Sequence, residues 1–567
     1  MTASPLEQCV AAGDVAVRMT GASLVAAAQT VLDDAAAQGL PAALVAKDPT
    51  LWGTEAAAEA GIRLGWLDVV GTGRSLLPRI ARLRDELAAE GVDRVVLCGM
   101  GGSSLAPEVI CASAGRALVV VDTTDPGQVR AALVELDRTV VVVSSKSGGT
   151  LETDSHRRAA RAAFESAGID PARRVVVVTD PGSPFERDAH AEGCRAVFLA
   201  DPDVGGRYSA LTAFGLVPAG LAGVDVAGLL AEAATLEASL DAGSDNPALA
   251  LGAVLGGGGI AGRDKLILVP GDFVGFGDWA EQLIAESTGK QGRGLLPVVV
   301  ESLDAPGTEP AADSHLVRAG SAAGGAVAGG SAGPAAGTPH TTVTGPLGAQ
   351  FLAWEYATAV AGVALRINPF DQPNVQESKD NTGALLDGSS GSGATGSGAG
   401  ARLPVREPLF VQGGVEVHTT GDVDLLAGVS DLAAALDALL GAVPERGYLA
   451  VMAYLDRHAE AGAAELRALL ARRLAHPVTF GWAPRFLHST GQFHKGGPQT
   501  GAFLQVTGVV REDLEIPGRP FTFGRLQAAQ ALGDLRALAE RHRPVLSLHL
   551  ADRDEGLATL LSVARGA

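Results

Sequence analysis

"VVVSSKSGGTLET", residues 141–153, opens on β-branched apolar residues and ends in hydroxyls and glycines. The apolar part predicts a strand buried on both faces, and the remainder predicts a loop that leads into a helix. This loop holds Ser145, Ser147 and Thr150 beside a single lysine, Lys146. Hydroxyls and glycines at the mouth of a buried strand indicate a site that binds an anion.

The same alternation of strand and helix runs through residues 93–200. "DRVVLCGM", "RALVVVDTT" and "RRVVVVTD" are continuous apolar stretches, and amphipathic segments separate them. This pattern predicts a parallel sheet covered by helices on both faces. A second α/β region extends from about 205 to 380, with "DKLILVPG" as a strand and "GDWAEQLIAESTGK" as a helix.

The length of 567 residues is too great for a single core, so we expect several domains. Segments rich in Gly, Ala and Ser at 319–338 and 387–402 predict surface loops or linkers. We expect an N-terminal helical arm at 1–60, a first α/β domain at 61–203, a second at 204–475 and a C-terminal segment at 476–567.

Composition and charge restrict the function classes. The net charge of −20 argues against a nucleic-acid or anionic-membrane partner, and an anionic substrate would need a local binding device. No apolar run is long enough for a transmembrane helix, and no secretory signal is visible. We expect neither a metal nor a redox cofactor. The four cysteines, without CxxC spacing, predict free thiols in the cytoplasm. They are Cys9, Cys98, Cys111 and Cys194.

Lysine is rare in this arginine-rich chain, so each lysine merits attention. The six lysines are Lys47, Lys146, Lys265, Lys290, Lys379 and Lys495.

Another glycine-rich loop, "CGMGGSSLAP", lies earlier in the chain, after the strand that begins the first domain. Open α/β sheets bind ligands at the carboxyl ends of their strands, so the two loops together predict a phosphate site. A dinucleotide site is an alternative, with Asp122 one strand further on. However, Ser104 replaces the third glycine of that fingerprint, and no P-loop is present. Ordinary tight turns are the structural alternative for both loops.

Five spaced motifs give the chain a family resemblance. "GMGGSSLAP", "SSKSGGTLET", "VGGRYSALTAFG", "AEQLIAESTGK" and "NPFDQPNVQESK" stand in the order expected of the glucose-6-phosphate isomerase family. The resemblance covers roughly residues 60–380 and implies an α/β fold with two flavodoxin-like sugar-isomerase domains, each with a parallel sheet. It is closest to the bacterial form that also occurs fused to a transaldolase, although no transaldolase domain fits this chain.

The resemblance assigns roles to residues of these motifs. Arg207 would stabilise the charge of an enediolate, and Glu286 would carry the proton. Gln282 and Gln372 would bind substrate, and Lys379 would help to open the sugar ring. The substrate and chiefly its phosphate would be bound by Gly102, Ser103, Ser145, Lys146, Ser147 and Thr150.

Elementary chemistry agrees with these roles. Moving a proton between C2 and C1 of a sugar needs one base that takes it and returns it, and a partly desolvated carboxylate suits this task. A fixed guanidinium near the substrate suits the negative charge that develops. The structural alternatives are a solvated helix-end acid for Glu286, a surface ion pair for Arg207 and a solvated lysine for Lys379.

The histidine that opens the ring in the family normally lies between the glutamate and lysine motifs. Only His315 and His340 occupy that interval here. "LHSTGQ", which contains His488, resembles the family's motif but follows Lys379. His488 is therefore our candidate, with loop support as its alternative role and His494 and Lys495 as neighbours.

Two further features of the resemblance concern assembly and rearrangement. In the family the histidine comes from the neighbouring subunit, which implies a homodimer. "FTFGRLQAAQALGDL" resembles a helix that normally precedes the "FDQP" motif, so rearrangement or duplication of the second domain's tail is a hypothesis. Asn374 and Gln376 also depart from the usual Gly and Glu of the "FDQP" loop.

The function that the resemblance implies is metal-independent interconversion of glucose 6-phosphate and fructose 6-phosphate through a cis-enediol. A broader isomerase that also accepts mannose 6-phosphate is one alternative. Others are a catalytically silent sensor of sugar phosphates and an NAD-dependent enzyme.

Overall fold

The computed structural model describes residues 7–321, 338–388, 407–419 and 425–566, which form three β-sheets with helices between them. The predicted low-complexity loops at 319–338 and 387–402 lie outside these residues except at their ends. The strands are β1 Glu7–Ala12, β2 Val15–Thr20, β3 Arg94–Cys98, β4 Val119–Val121, β5 Thr139–Ser144, β6 Val175–Thr179, β7 Ala196–Leu199, β8 Lys265–Pro270, β9 Leu296–Val299, β10 Ser314–Gly320, β11 His340–Thr344, β12 Phe410–Gln412, β13 Val415–Thr419, β14 Tyr448–Tyr454, β15 Val478–Trp482, β16 Gly501–Gly508 and β17 Val545–Leu550.

Helices connect and cover these strands. They are α1 Ala22–Gln38, α2 Leu40–Val45, α3 Ala57–Ala60, α4 Val69–Ala89, α5 Leu105–Ser113, α6 Pro126–Ala132, α7 Leu151–Ser166, α8 Pro184–Ala191, α9 Ala213–Leu221, α10 Val226–Glu237, α11 Pro247–Ile260, α12 Phe276–Thr288, α13 Leu347–Leu365, α14 Pro373–Gly388, α15 Leu432–Gly441, α16 Glu465–Ala471, α17 Gly491–Gly496, α18 Phe523–Ala539 and α19 Arg553–Arg565. Within the described ranges, none of these helices is long and apolar enough to cross a membrane.

The first sheet is parallel throughout, with the order β4-β3-β5-β6-β7. This is the flavodoxin-like strand order, and the chain reverses its direction of progress between β3 and β5. All six residues of β5 are buried, as its continuous apolar sequence predicted. The two glycine- and serine-rich loops follow β3 and β5, so they meet at this reversal point, where such sheets bind ligands.

The second sheet has the order β1-β2-β11-β10-β8-β9. The strands β11, β10, β8 and β9 are parallel to one another, and an antiparallel hairpin of β1 and β2 extends the sheet beyond β11. The helical arm predicted at 1–60 is therefore wrong for residues 7–20, and helix α1 begins only at Ala22.

The physical reason for this difference is the turn at Gly13 and Asp14. Both residues have positive φ angles, 53° and 61°, as a tight two-residue hairpin turn requires. Alternate residues Val15, Val17 and Met19 then point into the core and are almost fully buried. The two-residue period of this segment, with a glycine-containing turn, favours a strand over a helix once β11 offers a partner.

The third sheet has the order β12-β13-β17-β16-β14-β15. Its strands lie on both sides of residue 475, so this sheet does not follow the division expected between 204–475 and 476–567. Its connectivity repeats that of the second sheet. In each, a hairpin precedes four parallel strands that are arranged as fourth, third, first and second, and the hairpin pairs with the fourth strand.

The second and third sheets share one hydrophobic core. Buried side chains from strands of both sheets pack into a single cluster, and the edge strands β9 and β15 lie against each other. The cluster includes Ile267, Val269, Leu296 and Val298 from the second sheet and Tyr448, Ala450, Met452 and Phe503 from the third. Burial of this apolar surface holds the two sheets together.

Substitution of Gly13 tests the hairpin. A Cβ atom at Gly13 would lie 2.3 Å from the carbonyl oxygen of Thr235, whereas at Gly39, which has a similar φ of 62°, nothing lies within 4 Å. Both Gly→Ala variants have the strain of a positive φ, but only Gly13→Ala adds overpacking, at about 1–3 kcal/mol. We expect urea unfolding to give a larger loss for Gly13→Ala, and equal losses would contradict the hairpin packing.

Candidate active site

Helix α12 places two of the predicted residues on one face. Gln282 and Glu286 are four residues apart, so their side chains are neighbours on the helix. Gln282 Nε2 donates a hydrogen bond to Glu286 Oε2 at 3.0 Å. The Glu286 side chain is 11% exposed, so its carboxylate opens only narrowly to solvent. The structural alternative of a solvated helix-end acid does not fit this burial.

Arg207 provides the charge opposite Glu286. Its side chain is only 3% exposed, and its NH1 donates to Glu286 Oε1 at 2.8 Å. Its Nε donates to Ser287 Oγ at 2.9 Å, which fixes the plane of the guanidinium. A surface ion pair is therefore not the role of Arg207.

The loop at 368–372 receives the remaining donors of Arg207. NH1 donates to Gln372 Oε1 at 2.9 Å, and NH2 donates to the carbonyls of Pro369 at 2.6 Å and Asp371 at 2.9 Å. The guanidinium fork thus brings the predicted residues Glu286 and Gln372 to one point. Lys379 lies in helix α14, but its side chain and that of Gln376 fall outside the described residues.

The first glycine-serine loop lies directly against the loop that carries Arg207. A Cβ atom at Gly102 would come within 1.8 Å of the carbonyl oxygen of Gly206. Only glycine permits this approach, which accounts for the glycine there. Ser103, the next residue, is partly exposed at the end of β3.

The second loop forms a cradle at the start of α7. Ser145 Oγ accepts a hydrogen bond from the Gly148 amide, and Ser147 Oγ accepts one from the Gly149 amide. Thr150 is the N-cap residue of this 16-residue helix, and its side chain makes no capping hydrogen bond. Hydroxyls and a helix N-terminus at one place favour a bound anion.

The ammonium of Lys146 is directed away from this cradle. Its Nζ lies 3.1 Å from Asp180 Oδ2 and donates to the carbonyl of Val204 at 2.5 Å. The predicted contact of Lys146 with a phosphate would thus depend on its backbone amide, unless the side chain leaves Asp180.

His488 reaches the same place from the third sheet. It ends a short turn after β15, and its carbonyl accepts a hydrogen bond from Gln282 Nε2 at 2.8 Å. Its Nε2 lies 3.1 Å from Glu152 Oε1, and Gln530 Nε2 donates to that same carboxylate oxygen at 2.6 Å. Glu152 and Gln530 were not predicted as site residues. The signal for Glu152 was its place in the motif "SSKSGGTLET", directly after the cradle.

His315 and His494, two other histidines considered for the site, are buried and bonded to protein groups. His315 is fully buried on β10, where its Nε2 lies 2.9 Å from Thr341 Oγ1, and burial lowers its pKa to about 3. His494 lies 2.9 Å from the hydroxyl of Tyr448, and burial holds its pKa well below the usual range. Lys495 forms a buried ion pair with Asp534 at 2.6 Å. His494 and Lys495 thus contact other residues than His488 does.

Asp122 suggested a dinucleotide site, but its carboxylate is hydrogen-bonded to other side chains of the protein. It is 2% exposed, Arg485 Nε donates to its Oδ2 at 2.6 Å, and Ser104 Oγ donates to the same oxygen at 3.1 Å. Ser104, which replaces the third glycine of the fingerprint, therefore has a structural task. No carboxylate oxygen at this position is arranged to bind a ribose hydroxyl.

The sequence did not predict that Lys290, just beyond the end of α12, contacts the loop at 368–372. Its Nζ donates to the carbonyls of Asn368 and Asp371, each at 2.5 Å, and to Asp371 Oδ1 at 2.6 Å. Three acceptors match the three N–H donors of an ammonium group. Burial, reinforced by the nearby charge of Arg207, lowers the pKa of Lys290 to about 7.

The pKa of Lys290 predicts a pH-dependent stability. In the unfolded chain the lysine has a pKa near 10.5, so above pH 7 the unfolded chain binds more protons than the folded chain. The free energy of unfolding of the wild type therefore increases as the pH rises. The Lys290→Met variant lacks the titrating amine, so its free energy of unfolding does not show this increase. Between about pH 6.5 and 8.5 we expect the difference in free energy of unfolding to shift by about 1–2 kcal/mol in favour of the wild type.

Urea unfolding of both proteins at the two pH values measures this shift. Lys47→Met, at a partly exposed lysine, is the control and should show no such change. A difference between the wild type and Lys290→Met that is independent of pH would mean that Lys290 keeps its ordinary pKa.

Comparisons with known proteins show which sequences the chain is similar to. Residues 85–248 match the family model of phosphoglucose isomerase, a range that includes both loops and Arg207. The chain is 35% identical over 241 residues to a glucose-6-phosphate isomerase of Rippkaea orientalis, a match that covers 40% of this chain and 45% of the relative. It is 37% identical over 212 residues to one of Geotalea daltonii, covering 35% and 40%. The chain thus spans less than half the length of these relatives.

Solved structures show the fold. A glucose-6-phosphate isomerase from Chlamydia trachomatis superposes with a TM-score of 0.53 at 19% identity, covering 68% of this chain and 90% of that chain. A protein of Thermus thermophilus gives a TM-score of 0.54 at 22% identity, covering 66% of this chain and all of that one. The names of these matches do not mention a transaldolase, so that detail stays a prediction. The resemblance to the phosphoglucose isomerase family that the spaced motifs predicted is thereby confirmed.

Proposed function

We propose that this chain is a glucose-6-phosphate isomerase, an intramolecular oxidoreductase that interconverts glucose 6-phosphate and fructose 6-phosphate. The observation that carries the proposal is the mostly buried Glu286 carboxylate, held between Arg207 and Gln282 beside two hydroxyl-bearing loops. A base, a fixed cation and an anion cradle are the parts that this isomerisation needs.

The phosphate would lie in the cradle of Ser145, Ser147 and Thr150, with Gly102 and Ser103 beside it. Backbone amides at the start of α7 would supply the attraction, because the net charge of −20 gives no general attraction for an anion. The sugar would then extend from the phosphate toward the carboxylate at the end of α12.

Proton transfer would be carried by Glu286. It would take the proton from C2 of the opened aldose, leave a cis-enediol, and return the proton to C1. Arg207 would stabilise the negative charge on the enediolate oxygens as a fixed cation beside Glu286, and a direct hydrogen bond to them would require one of its N–H groups to leave a protein acceptor. Gln282 and Gln372 would bind substrate at the two sides of Arg207.

Ring opening would be carried by His488, with Lys379 assisting. The contact of His488 Nε2 with Glu152 supports this role, because a carboxylate on one ring nitrogen orients the imidazole. His315, with its pKa near 3 and full burial, is unsuited to the step.

The alternatives differ in what they require of these residues. A silent sensor needs the phosphate cradle but no buried carboxylate opposite a guanidinium. An NAD-dependent enzyme needs a carboxylate for the ribose, and Asp122 is bonded to Arg485 and Ser104 instead. Acceptance of mannose 6-phosphate depends on contacts around C2 and is measured with that substrate.

Cytoplasmic location belongs to the proposal as a finer prediction, and the homodimer stays an expectation from the family resemblance. The cysteines are consistent with a reducing compartment, since in the described residues all four are free. The reason for expecting a homodimer was a histidine from a neighbouring subunit. Here His488 belongs to the same chain as Glu286, so a homodimer is not needed for that contact.

Substitution of Glu286 tests the proton carrier. We expect Glu286→Gln to lower kcat for conversion of fructose 6-phosphate about 10²-fold or more, since the amide cannot accept the proton. Glu281→Gln is the matched control. It makes the same change on the same helix at a side chain that lines a separate cavity of about 300 Å³, and it should stay near wild-type activity.

Equal activity of Glu286→Gln and wild type would move the base elsewhere. Binding of glucose 6-phosphate without any turnover by the wild type would favour the sensor.

A double-mutant cycle tests the pairing of His488 with Glu152. If Glu152 acts through the imidazole, His488→Asn and Glu152→Gln should each lower kcat/KM, and the double variant should be hardly worse than His488→Asn. Losses that multiply in the double variant would show that the two side chains act independently. Circular dichroism of all three variants checks that they are folded.

A further inference from the structure

Residues 407–566 repeat the architecture of the unit built on the second sheet. Both hairpins turn on two residues of positive φ: Gly13 and Asp14 at 53° and 61°, and Gly413 and Gly414 at 53° and 73°. After each hairpin come four parallel strands in the same spatial order. The third sheet is therefore a second version of the second sheet in the same chain, which agrees with the sequence hypothesis of a duplication.

The repeat extends to the side chains of the hairpins. Val15 and Val17 are buried under the second sheet, and Val415 and Val417 are buried at the same positions under the third. The two units then face each other across one shared core, with β9 and β15, the equivalent edge strands, side by side. Two units of the same architecture thus pack against each other within one chain.

The third-sheet unit contributes directly to the candidate active site. The turn after β15 supplies His488, which contacts Gln282 through its carbonyl and Glu152 through its ring. Four residues later, Gln492 Nε2 donates to the carbonyl of Gly289 at 3.0 Å, just beyond the end of α12.

The "FDQP" loop is held from the same side. Gln492 Oε1 accepts from the amide of Asn374 at 2.9 Å, and Gln492 Nε2 donates to Asn374 Oδ1 at 2.9 Å. Asn374 is one of the positions that departs from the family pattern. The side-chain amide of Asn374 is explained by this reciprocal pair of hydrogen bonds with the third-sheet unit.

Buried ion pairs attach the third-sheet unit to the first sheet. Arg485 contacts Asp122 at 2.6 Å, and Arg553 contacts Asp125 at 2.8 Å, with all four side chains at most 10% exposed. A buried charge without its partner is strongly unfavourable, so these pairs permit one docking position. His488 follows Arg485 by three residues, and its place at the site is set by that docking.

We propose that residues 407–566 act as a built-in partner subunit, so that one polypeptide holds a complete working site and requires no second copy. That this site is active rests on the proposed function. The arrangement itself can be tested without activity.

A disulfide between the units tests the arrangement. The alternative is exchange of residues 407–566 between two chains. A Cβ atom at Gly307, after β9, would lie 3.7 Å from Ala471 Cβ in α16, which is within the range for a disulfide. In the Gly307→Cys, Ala471→Cys variant, oxidation should give a cross-link within one chain, seen as the loss of two free thiols per chain at monomer mass on a denaturing non-reducing gel.

A covalent dimer that needs both new cysteines would overturn the proposal. The two single-cysteine variants control for the four native cysteines. Gly307 has a φ of 91°, so a second pair guards against misfolding of the first. In that pair, Asn381→Cys with Gly533→Cys, the two Cβ atoms would be 3.6 Å apart.

Co-expression tests whether the site works within one chain. Chains with Glu286→Gln and chains with His488→Asn, carrying different tags, should together show no more activity than the sum of the two alone. Activity that rises about tenfold above that sum would mean that sites are shared between chains, which overturns the proposal. A wild type that does not isomerise sugar phosphates would refute the proposed function, and the disulfide result would still decide the arrangement.

Discussion

The buried guanidinium of Arg207 is the constraint on which the site depends. It donates to the end of α12 through Glu286 and Ser287 and to the loop at 368–372. A buried cationic donor that loses an acceptor carries a large penalty, so these segments have one compatible arrangement. Gly102 packs against the carbonyl of Gly206, next to Arg207, and this contact brings the glycine-serine loop of Gly102 to the same point.

A second basic side chain shares this arrangement. Lys290 and Arg207 both donate to the carbonyl of Asp371, so the loop at 368–372 is held from two sides. Phe370 anchors the same loop in apolar surroundings, with its ring 4.8 Å from that of Trp52. The result is a rigid positive region facing Glu286, which is the preorganisation that a developing enediolate would need.

Contacts with the third sheet explain where this sequence departs from familiar patterns. Ser104, in place of a fingerprint glycine, bonds to Asp122, which is in turn held by Arg485. Asn374, in place of the usual glycine of the "FDQP" loop, pairs with Gln492. Both departures lie where residues beyond 480 pack against the first two sheets. They reflect a neighbour within the chain and leave Glu286 and Arg207 in place.

The sequence by itself determined the local features of this protein. The apolar strand before Ser145, the glycine-serine loops and the helix of Glu286 follow from short-range periodicity and turn chemistry, and the order of five motifs indicated the family. Tertiary structure alone decided that residues 7–20 form a hairpin whose second strand pairs with β11, and that residues on both sides of 475 share one sheet. It also decided that His488 meets Glu152, 336 residues away, and that Lys290 meets the loop at 368–372. The physical reason is that periodicity and propensity specify which element forms, whereas the choice of distant partner depends on matched donors, charges and shapes that no local pattern encodes.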